Sequence, residues 1–228
     1  MKNCLPEMAS TQTCITASLK WKRRRKKTIM KYNIVTIERE YASGGREIGY
    51  RTAEKLGIPY YGKEILEMAA KKKGVSPEYL EELEETPTNS FFYSVYMLSK
   101  NLIGDTPSLP ENDALRLAEA EIINDLAAEG PCVIIGRCAC HALRRRKDVL
   151  NVFIHSSWEA RVKRAVETYG VDAANAEVVL KKFDKRRACY YNANTGKKWS
   201  APEGYHMILD SGRLGIGKCV DILEKAVE

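Results

Sequence analysis

The chain has no long apolar run, few histidines and no CxxC cysteine pair, and each absence excludes a class of protein. No hydrophobic stretch approaches the roughly 18 residues that a membrane-spanning helix needs. The seven cysteines lack CxxC pairs and the three histidines lack metal-ligand spacing, so the pattern does not indicate a zinc site. Separated thiols in odd number are typical of a reducing compartment, and we predict a cytoplasmic protein without a membrane partner.

Basic charge is concentrated at one end of the chain, although the formal net charge is +7. The first 32 residues contain nine of the 37 Lys and Arg residues and one Glu, so the remainder is nearly neutral. The basic run at 22–27 contains nothing apolar. We therefore expect residues 1–30 to be a disordered extension outside the folded body.

This extension admits three interpretations: an arm for nucleic acid or anionic lipid, a targeting segment, or sequence upstream of a natural start at Met30. A secretory signal has its charges before an apolar core, whereas here the charges come last. We favour a start at Met30 and do not expect a nucleic-acid partner. An electrostatic arm would make nucleic-acid binding depend on these residues and on salt.

Strands alternate with helices along residues 31–228, which predicts an α/β domain with a parallel sheet. Strands are predicted by the apolar runs at 33–38, 132–136, 149–155 and 205–210. Helices are predicted at 63–73, 77–85, 111–129, 158–168, 173–191 and 216–227. Residues 86–110, with three prolines and the cluster FFYSVY, are typical of an insertion or a mobile flap.

The stretch TIEREYASGGREIGYRTAEKLG has the order of strand, glycine loop and helix that can cradle a phosphate. Compared with G-x-x-x-x-G-K-[ST], Gly45 is in place, but Glu40 replaces the first glycine, Arg46 the lysine and Glu47 the hydroxyl residue. Arg46 can still neutralise a phosphate, whereas Glu47 must face away from phosphates or meet a magnesium ion. The loop alone fits a structural turn as well as a phosphate site.

Three further stretches decide between these interpretations: VIIGRCACHAL, VLNVFIHSSWEARVKR, and DKRRACYY followed by LDSGRLGIGKCVDIL. In this order the chain resembles the cytidylate kinases, and more closely the cytidylate kinase-like branch whose loop reads SGGR. The resemblance spans residues 33 to about 226. It implies a three-layer α/β P-loop NTPase fold with a parallel five-stranded sheet, a monophosphate-binding insertion and a helical lid. The implied reaction transfers the γ-phosphoryl group of ATP to CMP or dCMP, with Mg²⁺.

The resemblance also implies a division of the chain and a set of site residues. The kinase-like domain is expected at 31–228, with acceptor-binding insertion helices at 62–130 and a lid region at 158–200. The implied catalytic residues are Arg46, Arg137 and Arg187. The implied ATP-binding residues are Ser43, Gly44, Gly45, Arg46, Glu47, Arg161 and Arg164, and the implied acceptor-binding residues are Arg137, Asp184 and Arg187.

The match is uneven, and spacing alone leaves alternatives open. Asp184 and Arg187, three residues apart on one helix face, also fit a surface ion pair, and Arg161 with Arg164 also fits a solvated face. Cys138 and Cys140 stand where a carboxylate often follows the Gly-Arg pair. These departures support a second hypothesis, a nucleotide-binding module without catalysis. The magnesium ligand, the acceptor base and the oligomeric state are not specified by the sequence.

Overall fold

The computed structural model describes residues 31–73 and 111–228. Within these ranges, five strands form one parallel sheet of order β2-β3-β1-β4-β5. The strands are β1 (Ile34–Arg39), β2 (Tyr60–Tyr61), β3 (Cys132–Ile135), β4 (Val149–His155) and β5 (Met207–Asp210). The helices are α1 (Gly45–Leu56), α2 (Glu64–Lys73), α3 (Glu111–Glu129), α4 (Ala139–Ala142), α5 (Trp158–Glu167), α6 (Ala176–Thr195), α7 (Ser211–Leu214) and α8 (Ile216–Val227). The basic extension, the predicted helix at 77–85 and the predicted insertion at 86–110 lie outside the described residues.

Two apolar layers cover the sheet, one on each face. Helices α2 and α3 pack on one face, where Ile65 and Ile123 are fully buried. Helices α1 and α8 pack on the other face, where Ile48 and Leu223 are fully buried. Because both faces are covered, β1, β3 and β4 can be continuous runs of apolar residues. This confirms the predicted three-layer α/β fold with a parallel five-stranded sheet.

The element boundaries follow local signals that the sequence places only approximately. Helix α6, predicted at 173–191, begins after Asn175 and continues to Thr195, where Gly196 ends it in a left-handed conformation (φ +67°). Strand β1 extends one residue further than predicted and includes Arg39. Among the described helices, none is long and apolar enough to cross a bilayer.

The parallel arrangement brings three loops together at the carboxyl edge of the sheet. Strand β1 leads into the glycine loop, β3 into the turn around Arg137, and β4 into helix α5. Since β1 pairs with both β3 and β4, these loops are neighbours in space although they are distant in sequence. Ligands of open α/β sheets bind at this edge.

Candidate active site

The glycine loop connects β1 to α1 through a turn that requires glycine. Gly44 has φ +77° and precedes the first turn of α1 without a side-chain cap. A Cβ atom on Gly44 would lie 2.5 Å from Cδ1 of Ile216, and a Cβ atom on Gly45 would lie 2.5 Å from Cβ of Arg39. Both glycines therefore let the backbone approach its neighbours closely, while the first N–H groups of α1 need partners outside the helix.

A second strained turn follows β3. Gly136, Arg137 and Cys138 all have positive φ angles, of +68°, +54° and +50°. Two of these residues are not glycine, and such conformations are concentrated at functional sites because the surrounding structure must stabilise them. Arg137 lies 3.5 Å from the carboxylate of the buried Glu119 on α3. The turn thus presents Arg137 at the carboxyl edge, beside the glycine loop.

Four arginines, from four separate parts of the chain, meet between these two turns. We call Arg39, Arg46, Arg137 and Arg187 the arginine cluster. Arg187 of α6 donates a hydrogen bond of 3.0 Å to the carbonyl oxygen of Arg39. Burial lowers the pKa of Arg187 to about 9, and the like charge of Arg39 acts in the same direction. Arg46 is exposed and hydrogen-bonded to Tyr60.

Two buried carboxylates partly balance this charge, Glu119 beside Arg137 and Glu38 beside Arg39. Glu38, 5% exposed, accepts a hydrogen bond of 3.2 Å from Nε1 of Trp199. Burial raises the pKa of Glu38, while Arg39, Trp199 and Arg187 act in the opposite direction. Its side chain is enclosed by protein, so Glu38 is positioned to fix the arginines electrostatically and not to contact a ligand.

The glycine loop is also held by helices α5 and α6. Asp184 accepts a hydrogen bond of 2.7 Å from the backbone N–H of Tyr41 and is paired with Arg161. Arg161 is 4% exposed, donates to the carbonyl oxygen of Tyr41 at 2.8 Å, and pairs with Glu40 at 3.2 Å. The ring of Tyr41 stacks on Phe183 with centroids 4.5 Å apart. We call Glu40, Tyr41, Arg161, Phe183 and Asp184 the loop clamp.

The loop clamp changes the interpretation of two residues that the resemblance assigns to ligands. Arg161 is not on a solvated face, and the partner of Asp184 is Arg161, not Arg187 three residues later. Their direct contact with a nucleotide stays a prediction. In the structure both side chains contact the glycine loop itself. Because these contacts join the predicted lid region to the loop, they can fix the loop's geometry.

Glu47, which replaces the hydroxyl residue of the phosphate loop, is neutralised by two arginines. Its carboxylate lies 2.7 Å from Arg51, one turn later on α1, and 3.1 Å from Arg164 on α5. The repulsion expected between Glu47 and a phosphate is therefore reduced. Ser43 is buried, and its hydroxyl donates to the carbonyl oxygen of Glu40 at 2.9 Å, so its hydrogen is used within the turn.

Two thiols near the site, those of Cys138 and Cys140, are buried in a cluster of aromatic side chains. Burial raises the pKa of Cys138 far above its ordinary value and that of Cys140 to about 12. A thiol that stays protonated is a packing group. Within residues 31–73 and 111–228, no three His, Cys, Asp or Glu side chains come together as ligands for a metal ion.

Comparison with known proteins identifies the family. The family model of the cytidylate kinase-like family matches residues 34–213. The chain belongs to the cytidylate kinase-like family. The match includes both turns, all four members of the arginine cluster and the whole loop clamp. A search of curated protein sequences found no significant match.

A comparison with solved structures found similar chains. An uncharacterized protein from Eubacterium ventriosum superposes with a TM-score of 0.64 and 24% identity, over 85% of this chain and 97% of that one. Shikimate kinase from Acinetobacter baumannii, in complex with shikimate, gives a TM-score of 0.45 and 15% identity over 85% and 90% of the two chains. Shikimate kinase from Bacteroides thetaiotaomicron gives 0.47 and 14% over 84% and 96%. At 24% identity, the similarity to the Eubacterium ventriosum protein describes the fold alone.

The sequence pattern misses two residues of the site, Arg39 and Glu38. Both lie at the end of β1, where they look like the polar end of a strand. The signal that could have found Arg39 is the one that identified Arg137: a charged residue at the end of a buried strand lies at the carboxyl edge of the sheet. Glu38 has no such signal, because its partner Trp199 is 161 residues away.

Proposed function

We propose that this member of the cytidylate kinase-like family is a nucleoside monophosphate kinase that transfers the γ-phosphoryl group of ATP to CMP or dCMP. The arginine cluster carries the proposal, because a concentration of guanidinium groups at the carboxyl edge, beside a glycine loop, fits two phosphate-bearing ligands. Phosphoryl transfer needs mainly alignment and charge stabilisation from the protein, and these residues supply both.

The glycine loop would hold the phosphates of ATP. Gly44 and Gly45 keep the loop free of side chains that would block an approaching phosphate, and the first N–H groups of α1 provide hydrogen-bond donors. Arg46 adds a positive charge at the position of the missing lysine. Arg164, which already pairs with Glu47, lies within reach of the same loop. The loop clamp would keep this cradle in shape.

The turn after β3 would hold the acceptor. In our proposal, Arg137 binds the phosphate of the monophosphate and Arg187 stabilises the phosphoryl group as it moves. An oxygen of the acceptor phosphate forms the new bond to the γ-phosphorus, and the bond from that phosphorus to the β-γ bridging oxygen breaks, leaving ADP. The cluster stabilises the negative charge that spreads over the transferred group. Preference for a cytosine base rests on the family resemblance.

Magnesium fits this site as part of the nucleotide. The described residues provide no group of three metal ligands. Glu47, at the position of the usual hydroxyl residue, forms ion pairs with Arg51 and Arg164. We therefore propose that Mg²⁺ is held chiefly by ATP phosphates. When bound there, it would reduce the repulsion between donor and acceptor.

The test is a coupled assay of ADP release by the full chain with ATP, Mg²⁺ and each of CMP, dCMP, UMP and AMP. We expect turnover selective for CMP and dCMP. Turnover with AMP alone would show that the acceptor is wrongly assigned. No turnover with any monophosphate would exclude the kinase proposal.

A second function is favoured by one feature of the site, the pairing of loop carboxylates with arginines of the lid region. Arg161 is engaged by Glu40 and Asp184, and Arg164 by Glu47. If these pairs persist when nucleotide binds, fewer positive charges reach the transition state, and the protein would be a nucleotide-binding module without catalysis. Tight ATP binding by calorimetry together with no ADP release would identify it.

A further inference from the structure

The side chain of Arg39 lies in a space that two glycines leave open. A Cβ atom on Gly45 would lie 2.5 Å from Cβ of Arg39, and a Cβ atom on Gly136 would overlap the guanidinium nitrogen Nη1. The stem of Arg39 therefore packs on the glycine loop and its head on the turn after β3. Any larger residue at either position would displace this arginine.

Each of these two glycines is followed directly by another arginine of the cluster. Gly45 precedes Arg46, and Gly136 precedes Arg137, so Arg39 bridges the two loops that present the other charges. Arg187 approaches from α6 and donates to the carbonyl oxygen of Arg39 at 3.0 Å. Arg39 is thus the central member of the arginine cluster.

Holding these charges together is costly without an anion. Burial lowers the pKa of Arg39, and the neighbouring Arg137 and Arg46 lower it further, while Glu38 acts in the opposite direction. Glu38 is itself enclosed and bonded to Trp199, and Glu119 pairs with Arg137, so two carboxylates are set against four arginines. A phosphate placed between the two turns would accept hydrogen bonds from planar guanidinium groups, which match its oxygens in pairs.

We propose that Arg39 binds the polyphosphate chain of the nucleotide, at the junction of the glycine loop and the turn after β3, and shares with Arg46 the charge that the missing loop lysine would provide. Arg46 is exposed and directed to Tyr60, whereas Arg39 is fixed by packing on both sides. The proposal rests on the proposed function for the identity of the nucleotide, but the anion site itself does not depend on turnover.

The experiment measures binding of inorganic tripolyphosphate to the full chain by titration calorimetry. Arg39→Met keeps the length of the side chain and removes its charge, and we expect affinity to fall on the order of 10- to 100-fold, the loss of a charged hydrogen-bond donor. Arg39→Lys keeps the positive charge but loses the planar guanidinium group, so its affinity for tripolyphosphate should lie between those of the parent and Arg39→Met. Arg145→Met is the matched control, because Arg145 is exposed and precedes β4 at the opposite edge of the sheet.

Melting temperatures separate binding from folding. Without ligand, Arg39→Met should melt near the parent temperature, because it relieves repulsion among the arginines but also removes the main counter-charge of the buried Glu38. Unchanged tripolyphosphate affinity in Arg39→Met, or no binding by the parent chain, would overturn the proposal. If Arg39→Met fails to fold, the neutral but polar variant Arg39→Gln decides: affinity equal to the parent would make Arg39 a packing residue. Loss of tripolyphosphate binding in the variants, with no turnover by the parent, would reject the kinase function and leave the anion site established.

Discussion

At the level of single residues, Gly44 and Gly57 share a left-handed backbone but differ in their surroundings. Gly44 has φ +77° and faces Ile216, whereas Gly57 has φ +65° and a Cβ atom added there would meet nothing within 4 Å. Gly57→Ala should lower the free energy of unfolding by about 1–2 kcal/mol, the cost of the backbone conformation alone. Gly44→Ala should cost roughly 1–3 kcal/mol more, because Ile216 must move.

Urea unfolding of the two variants measures this difference directly. The pair is matched, since both changes add one methyl group at a positive φ angle at an end of α1. Equal losses of stability would show that Ile216 moves away from a methyl group at position 44 without lowering the free energy of unfolding. The close approach of the loop to α8 would then not be what requires glycine at this position.

Arg46 offers a residue-scale test of the proposed chemistry. Arg46→Ala should lower turnover by roughly 10³-fold or more, since an arginine contact to transferring phosphate can have that effect. The same coupled assay measures it, with Arg145→Ala as a control that removes an exposed charge at the other edge of the sheet. A loss of tenfold or less would show that Arg46 does not replace the lysine. A large loss for Arg39→Met alongside it would assign the role to Arg39.

At the level of elements, the loop clamp joins α5 and α6 to the glycine loop. Asp184→Asn leaves the buried Arg161 with Glu40 as its carboxylate partner and weakens the bond to the N–H of Tyr41. Because a partly buried charge then loses one of its two counter-charges, we expect a loss of about 1–3 kcal/mol in unfolding free energy. The loop should also become looser, so ATP affinity should fall with it.

A carboxylate on the same helix provides the control for this prediction. Glu177 pairs with Lys181 on the exposed face of α6, where both side chains are more than half exposed. Glu177→Gln should change stability by less than about 0.5 kcal/mol. If Asp184→Asn has an equally small effect, the clamp does not hold the loop. We would then expect Asp184 to act by contacting a bound ligand directly.

At the level of the whole molecule, the fold could be predicted from sequence because its signals are local and repeated. Continuous apolar strands alternating with helices indicate a parallel sheet covered on both faces, and the glycine loop marks the edge where a ligand would bind. Arg137 was found because it ends a strand. Arg39 follows the predicted strand at 33–38 in the same way, but its contacts with Gly136, 97 positions later, and with Arg187, 148 positions later, could not be read from the sequence. Residues whose partners are distant in the chain form no motif of fixed spacing that could be recognised in the sequence.

The two halves of the sheet are also tied together at its amino edge, where Asp148 precedes β4. Its carboxylate accepts hydrogen bonds from Arg146 at 2.9 and 2.7 Å and from Asn33 at 3.0 Å, and its carbonyl oxygen accepts from the N–H of Ile34. The bonds from Arg146, and then that from Asn33, lower the pKa of Asp148 to about 2, from 3.8. A lowered carboxyl pKa contributes stability that is fully present above the unfolded value and is lost as the pH falls toward 2.

This tie predicts how the molecule unfolds in acid. Asp148→Asn should lower the free energy of unfolding by about 1–2 kcal/mol at pH 7, and the difference from the parent should disappear as the pH approaches 2. Urea unfolding between pH 2 and pH 7 gives both curves. Asp221→Asn is the control, because Asp221 pairs with Lys55 on the surface, where water screens the pair. The unfolding free energies of Asp221→Asn and of the parent should therefore nearly coincide at every pH. A constant gap for Asp148→Asn at every pH would mean that the aspartate acts through shape alone. Convergence in acid would show that its charge holds β1 and β4 together at the edge opposite the arginine cluster.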